Sequence, residues 1–372
     1  MVLIDSSDRA LNCTRFLAVR SSAETPGQFE FRNYRAHTSV YGGLAILDAL
    51  SLCPNPRIEP SLVQDFCKRF HLSDTASREL VSMLLEAKLL VDAQDPEEIF
   101  ATQECAQWER FGWSEAFFLH CSTRDYPFLD YSTPNFRAPD FALMEEYRRS
   151  SEPPPRFKAY DSFPRIALEP PKELSGSCDL GLCLAGKSDK DLRPMTDSLL
   201  STLLFEVFGC RGTFTWKGQG DFLLKSSPSG GARHPTECYL LLGEASALGP
   251  SVCHYSVKEH ALRKLHAFPG MLEFEQTLRK CFWDYEDRIT FMPHCVLILS
   301  SVVERAQWRY RDPRSHRAII VDAGHLLGTC RAVLNKSDVN YFVTHGLRER
   351  EIESLLAVAP EEEVLLQAVF IQ

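Results

Sequence analysis

The chain has no apolar run of the about 20 residues that a membrane-spanning helix needs, so no membrane partner is expected. Its start, Met1-Val2-Leu3-Ile4-Asp5, lacks the basic stretch followed by an apolar one that opens a secretory signal. No Cys-x-x-Cys occurs among the 13 cysteines, and the nearest pair is Cys178 and Cys183. An odd, scattered set of this kind fits neither a zinc site nor a disulfide frame, and it reads as reduced thiols in a cytoplasmic protein without a metal. Positive charge is in the minority, with 41 Lys and Arg against 50 Asp and Glu for a net charge of -9, which argues against a nucleic-acid partner. There is no dinucleotide glycine fingerprint, no internal repeat and no low-complexity tract.

What is present is a 372-residue chain of ordinary globular composition, 44% hydrophobic and 24% charged, long enough for two domains and a connector. Residues 14–20 and 28–32 alternate as two strands around Pro26-Gly27. Leu44 to Leu50, Glu59 to Phe70 and Thr75 to Ala87 have helical period, the third capped by Ser73 or Asp74, and Leu89-Leu90-Val91 returns as a strand. Together residues 1–98 read as a winged-helix-like module. Its third helix carries Arg78, Glu79 and Glu86 and is too acidic for DNA recognition. Recognition of a leader peptide by strand addition is the better reading, and support of a dimer is the other.

Residues 99–173 form a helical and proline-rich connector, with one helix over Trp108–His120 and another over Phe141–Ser150. His120, alone on an apolar helix, is a weak catalytic candidate. From residue 174 to 372 helices alternate with apolar strands, which predicts an α+β domain. Met195 to Gly209 is its first amphipathic helix.

At the centre of that domain stands Ser227-Pro228-Ser229-Gly230-Gly231-Ala232-Arg233-His234-Pro235, followed by the apolar strand from Thr236 to Leu242. Paired glycines allow positive φ and close approach of a ligand to backbone N–H groups, although an ordinary turn before a strand has the same composition. Further on come Trp308-Arg309-Tyr310-Arg311 and Asp322-Ala323-Gly324-His325.

These segments resemble the signature of SagB-type peptide maturation dehydrogenases, a flavin-dependent branch of the nitroreductase superfamily. The resemblance covers about residues 174–372 and, more weakly, Trp113–Thr123. It implies a nitroreductase-like fold, an antiparallel or mixed sheet flanked by helices, and FMN as cofactor. Carried over by motif, Pro228, Ser229, Gly230, Gly231 and Arg233 would meet the flavin. Lys187, Ser188 and Lys190 would hold its phosphate, with Gly186 where an arginine is usual. Tyr310 would be the catalytic residue with Arg309, which replaces the family's lysine. Val252-Cys253-His254-Tyr255-Ser256 and His260-x-Leu262 would be strand and turn, and Glu361-Glu362-Glu363 an acidic turn before the last strand.

The implied activity is FMN-dependent oxidation of azoline rings to azoles in a ribosomally made precursor peptide, by a homodimer and with room for a cyclodehydratase partner. A tyrosine is a poor base near neutral pH unless a cation favours its phenolate, which Arg309 or Arg311 would do. Two rival readings are a flavin reductase of dehydroamino acids or nitroaromatics driven by a nicotinamide, and a flavin-free scaffold that docks the precursor.

Overall fold

In the computed structural model, residues 9–125, 128, 130, 132–174, 192–216 and 220–372 are described. The chain divides into two compact units, one up to residue 127 and one from 128 onward. Helices 96–109 and 114–122 thus belong to the first unit, and the proline-rich stretch to the second.

The first unit holds β1 (Ala10–Cys13), β2 (Leu17–Ser21), β3 (Phe29–Asn33), β4 (Thr38–Gly42), α1 (Leu44–Ser51), β5 (Arg57–Ile58), α2 (Glu59–Phe70), α3 (Asp74–Glu86), β6 (Leu90–Asp92), α4 (Pro96–Glu109) and α5 (Ser114–Ser122). The three helices and the return strand read from the sequence are present, as is the antiparallel β2–β3 pair. Two short strands, β1 and β4, have no clear alternation in sequence; β1 lies between β5 and β6, and β4 extends β2–β3. Leu11, Phe31, Leu50, Leu62, Phe66, Val81 and Leu84 interlock as the core of these elements. The Ser73 side chain accepts from the Ala76 N–H, so the serine is the cap of α3.

One expected helix, 108–120, is two. Gly112 has φ +73, and the Trp113 N–H turns back to the Trp108 carbonyl, which ends α4 and lets α5 reverse. His120 then stacks on Trp108 at 5.3 Å, a packing role.

The second unit holds α6 (Ala138–Ser150), β7 (Arg165–Ala167), α7 (Asp197–Phe208), β8 (Gly212–Trp216), β9 (Gly220–Leu224), β10 (Thr236–Leu242), β11 (Ser251–Ser256), β12 (Ala261–Ala267), α8 (Met271–Cys281), β13 (Cys295–Val302), α9 (Glu304–Gln307), α10 (Ser315–Lys336), β14 (Tyr341–Thr344), α11 (Glu349–Leu356) and β15 (Glu363–Ile371). Seven strands form one sheet in the order β14-β15-β13-β10-β11-β12-β7, every neighbouring pair antiparallel. The α+β expectation therefore holds.

Alternation sorts the central strands between two cores. Cys238, Leu240, Leu242, Leu297 and Leu299 pack with α7 and α10, whereas Tyr239, Leu241, Val296 and Ile298 pack with α8 and α11. β10 is buried at all seven positions, as its apolar run requires. It carries the glycine loop at its N-terminal end, so the loop leaves the middle strand of the sheet, paired on both sides.

The acidic turn expected at 361–363 is only partly a turn. Glu363 opens β15, is buried, and takes the ammonium of Lys158 and the hydroxyl of Ser300. Every described cysteine is a free thiol, and no helix among the described residues is long and apolar enough to cross a membrane.

Candidate active site

The glycine loop is tied to α10. The Ser229 hydroxyl donates to Asp322 Oδ2 at 2.5 Å, and the Gly230 N–H donates to Oδ1 at 2.9 Å. Ser229 Oγ also accepts from the His234 N–H at 2.9 Å. Burial raises the Asp322 carboxyl above its ordinary range, although both loop hydrogen bonds and His325 pull against it. The Pro228 carbonyl lies 3.2 Å from His325 Nδ1.

Three residues of the loop are left-handed, Gly231 at φ +60, Ala232 at +52 and His234 at +47. Each non-glycine residue there carries strain of about 1 kcal/mol or more, a feature that concentrates at functional sites. Pro228, Gly230 and Gly231 are exposed, and Arg233 is half-buried.

Tyr310 follows α9 and extends its last turn, its N–H donating to the Ala306 carbonyl. Its ring reaches the loop. A Cβ built on Gly231 would lie 1.9 Å from the Tyr310 hydroxyl oxygen. The phenol is half-exposed and makes no side-chain hydrogen bond with any described residue. The structure thus brings Gly231, Arg233 and Tyr310 together.

The neighbouring arginines are engaged. Arg309 gives one nitrogen to both Asp140 oxygens at 2.6 and 2.8 Å, with its guanidinium 4.8 Å from the Tyr310 ring centre. Arg311 lies 3.8 Å over the Tyr147 ring. Asp140 therefore neutralises much of the charge that Arg309 would direct at the phenol. Lys187, Ser188 and Lys190 lie outside the described residues.

Beside Ala232 and Arg233 opens a cavity of about 470 Å³, within the size range of small-ligand sites. Its walls include Arg148, Arg156, Arg233 and Arg305 but a single carboxylate, Asp221. Arg233 donates to the Gly231 carbonyl and lies 5.2 Å over Phe222. Burial lowers its pKa; Tyr310 acts in the opposite sense, while Arg309 and Arg156 add like charge to the burial effect.

Beneath the cavity runs a buried polar chain that sequence reading did not find. Arg305 meets Glu237 of β10 at 2.5 Å, and Glu237 meets His254 of β11 at 2.8 Å, all three nearly inaccessible. Burial opposes ionisation of Glu237, but the His254 hydrogen bond and the Arg305 charge outweigh it and hold the carboxyl at about 2. Arg305 also donates to the Pro155 and His234 carbonyls, fixing the cavity wall. Lys225 is pushed down to about 8 by burial, against the pull of Glu237 and with the push of Arg305.

Asp322, Arg156 and Arg305 lie far from the loop in sequence, whereas Glu237 follows it by two residues but pairs with Arg305, 68 positions on. Only the short acidic-Ala-Gly-His motif hinted at Asp322. His254 is a strand residue as expected, and His260 a turn residue at φ +45 bonded to Tyr255 and Ser201. No cluster of metal-ligating side chains occurs among the described residues.

No known family profile matches the chain. Its similarity is to a toxin-processing protein. That relative is the trifolitoxin-processing protein TfxB of Rhizobium leguminosarum bv. trifolii, 29% identical over 178 residues, which are 46% of this chain and 45% of the relative. The chain spans about half the length of the curated relative it matches, and this match supports the resemblance to SagB-type peptide maturation proteins.

Among solved structures, a candidate nitroreductase from Anabaena variabilis is 23% identical at TM-score 0.46, covering 62% of this chain and 46% of its own. A chain of the E. coli microcin synthetase McbBCD complex with truncated pro-MccB17 bound is 17% identical at TM-score 0.39, covering 66% and 84%. Both likenesses are too distant to define the fold or the chemistry.

Proposed function

We propose that the second unit is an FMN-dependent dehydrogenase that oxidises azoline rings to azoles in a ribosomally made precursor peptide. The carrying observation is Tyr310: a half-exposed phenol, without a side-chain hydrogen bond to a described residue, held against the Gly231 backbone and beside Arg233. A merely structural tyrosine satisfies its hydroxyl when it packs. The signature around Gly230–Gly231 and the similarity to TfxB support the same reading.

The residues present suit a flavin in kind. Gly230 and Gly231 offer exposed backbone without side chains, and Arg233 is a cation with no paired carboxylate among the described residues. Lys187, Ser188 and Lys190 are the proposed phosphate ligands. Bound FMN supplies the two-electron acceptor that such an oxidation requires. The chain's part is to orient the azoline ring and, with Tyr310 as phenolate, to take the ring proton at the phenolate oxygen. Arg309, neutralised by Asp140, positions the tyrosine through its ring face more than it activates it.

A homodimer is part of the proposal. α10 leaves Ile320 and Val321 more than half exposed on the face that also carries Gly324. The first unit is read as a winged-helix-like module for leader recognition. Among the described strands β6 pairs on one side only, and Leu90, Val91 and Asp92 line a cavity of about 340 Å³ beside it. A cyclodehydratase partner and a cytoplasmic setting complete the reading.

One observation favours the flavin-free scaffold: Ser229 and the Gly230 N–H are already satisfied by Asp322. Purified protein decides between them. The dehydrogenase absorbs at about 450 nm when loaded with FMN, and co-expressed precursor loses about 2 Da per ring. A folded, colourless protein that refuses FMN would end the dehydrogenase reading. Flavin bleaching by a nicotinamide alone would replace it with the reductase.

A further inference from the structure

The wall of the large cavity is out of electrostatic balance. Arg305 is matched by Glu237, and Arg309 behind it by Asp140. Arg156 and Arg233 have no carboxylate partner among the described residues, and Asp221, the lining acid, accepts the Thr215 hydroxyl at 2.5 Å. Arg233 is half-buried and sits in the field of two other guanidiniums. Arg156 is exposed, so the desolvation falls on Arg233, and a half-buried cation beside like charges is costly unless a ligand supplies the counter-charge. Apart from Arg148 the rest of the wall is apolar, with Met144, Pro153, Pro154, Leu223 and Trp308.

We infer that this cavity binds a carboxylate-bearing peptide segment, Arg156 and those Arg233 donors that bind neither Gly231 nor the flavin taking the carboxylate while Trp308 and the prolines take its apolar flank. Guanidinium pairs with carboxylate through two parallel hydrogen bonds and stacks on planar groups, which an ammonium cannot do. Because Arg233 adjoins the loop that holds Tyr310, the acidic group sits close in sequence to the residue being modified. The assignment of the segment to a precursor rests on the proposed peptide-modifying activity; the preference for a carboxylate rests on the cavity alone.

The full chain is titrated by calorimetry, with and without FMN, using acetyl-Gly-Glu-Cys-Gly-amide, its Gln counterpart and inorganic phosphate. The Glu peptide is expected to bind about tenfold more tightly than the Gln peptide, the worth of one charge-assisted contact. Arg156→Glu is expected to abolish that preference while leaving the melting midpoint and the FMN content unchanged. Equal affinity of the two peptides overturns the inference. So does phosphate binding that competes with FMN and is lost in Arg156→Glu, since the anion site then belongs to the flavin. A chain that refuses FMN yet still prefers the Glu peptide sinks the dehydrogenase reading and keeps the carboxylate site.

Discussion

The phenol oxygen of Tyr310 occupies the space that a Cβ at Gly231 would need, 1.9 Å from it, with the ring carbon Cζ at 2.9 Å. A candidate catalytic side chain and a candidate cofactor loop, 79 positions apart, therefore constrain each other. Gly231→Ala is expected to destabilise the protein by about 1–3 kcal/mol through overpacking and the left-handed φ. In a Tyr310→Phe background, where the hydroxyl is gone, the same substitution should cost less by about 0.5 kcal/mol or more. Urea midpoints of the four proteins give the coupling, and strict additivity would mean that the hydroxyl does not rest on the glycine.

Tyr310→Phe separates chemistry from binding. Loss of a general base typically lowers turnover about a hundredfold or more. Flavin content should hold, because the proposed FMN contacts are backbone and cations. Retained turnover would take Tyr310 out of the mechanism. A loss of flavin together with turnover would instead give it a binding role.

Much of the frame was legible in sequence because it rests on local rules. α2 spans Glu59–Phe70 as its apolar period and Pro60 require, and β10 follows from the apolar run Cys238 to Leu242 soon after a turn. The break at Gly112 was missed because aromatic residues continue on both sides of it, and only its positive φ reveals the turn. Glu363 looked like part of a charged turn. Its burial depends on Lys158 and Ser300, and no window of neighbouring residues contains them. The same holds for Asp322 with Ser229 and for Arg305 with Glu237: long-range pairing of polar groups has no sequence period.

Acid stability should fall in two stages. Burial, and next the charge of Lys225, push the His234 imidazole down to about 4 from 6.5, while its bond to the Leu223 carbonyl resists. The unfolded chain then takes up this proton first as pH falls, so stability present above 6.5 is lost between 6.5 and 4. Glu237, held at about 2, adds a second loss as pH falls from 4.5 toward 2. His234→Gln, which keeps a donor for Leu223, should flatten the first stage and leave the second. Urea midpoints at successive pH values check this, and an unchanged first stage in the variant would assign it to another group.

The Arg305–Glu237–His254 chain sets the cavity wall at a cost in desolvation that a buried pair repays only when both partners are present. Glu237→Gln leaves Arg305 buried without a counter-charge and should destabilise the protein by about 3–5 kcal/mol. Replacing the pair together, Glu237→Gln with Arg305→Met, removes both buried charges while leaving His254 a partner, and should recover most of that loss. The double variant nonetheless lacks the guanidinium that holds the Pro155 and His234 carbonyls, so the loop and the proline segment lose a shared anchor. Recovered stability with weakened peptide binding is the expected pattern. A Glu237→Gln protein within about 1 kcal/mol of the parent would show that water reaches the pair and that the wall is held by other contacts.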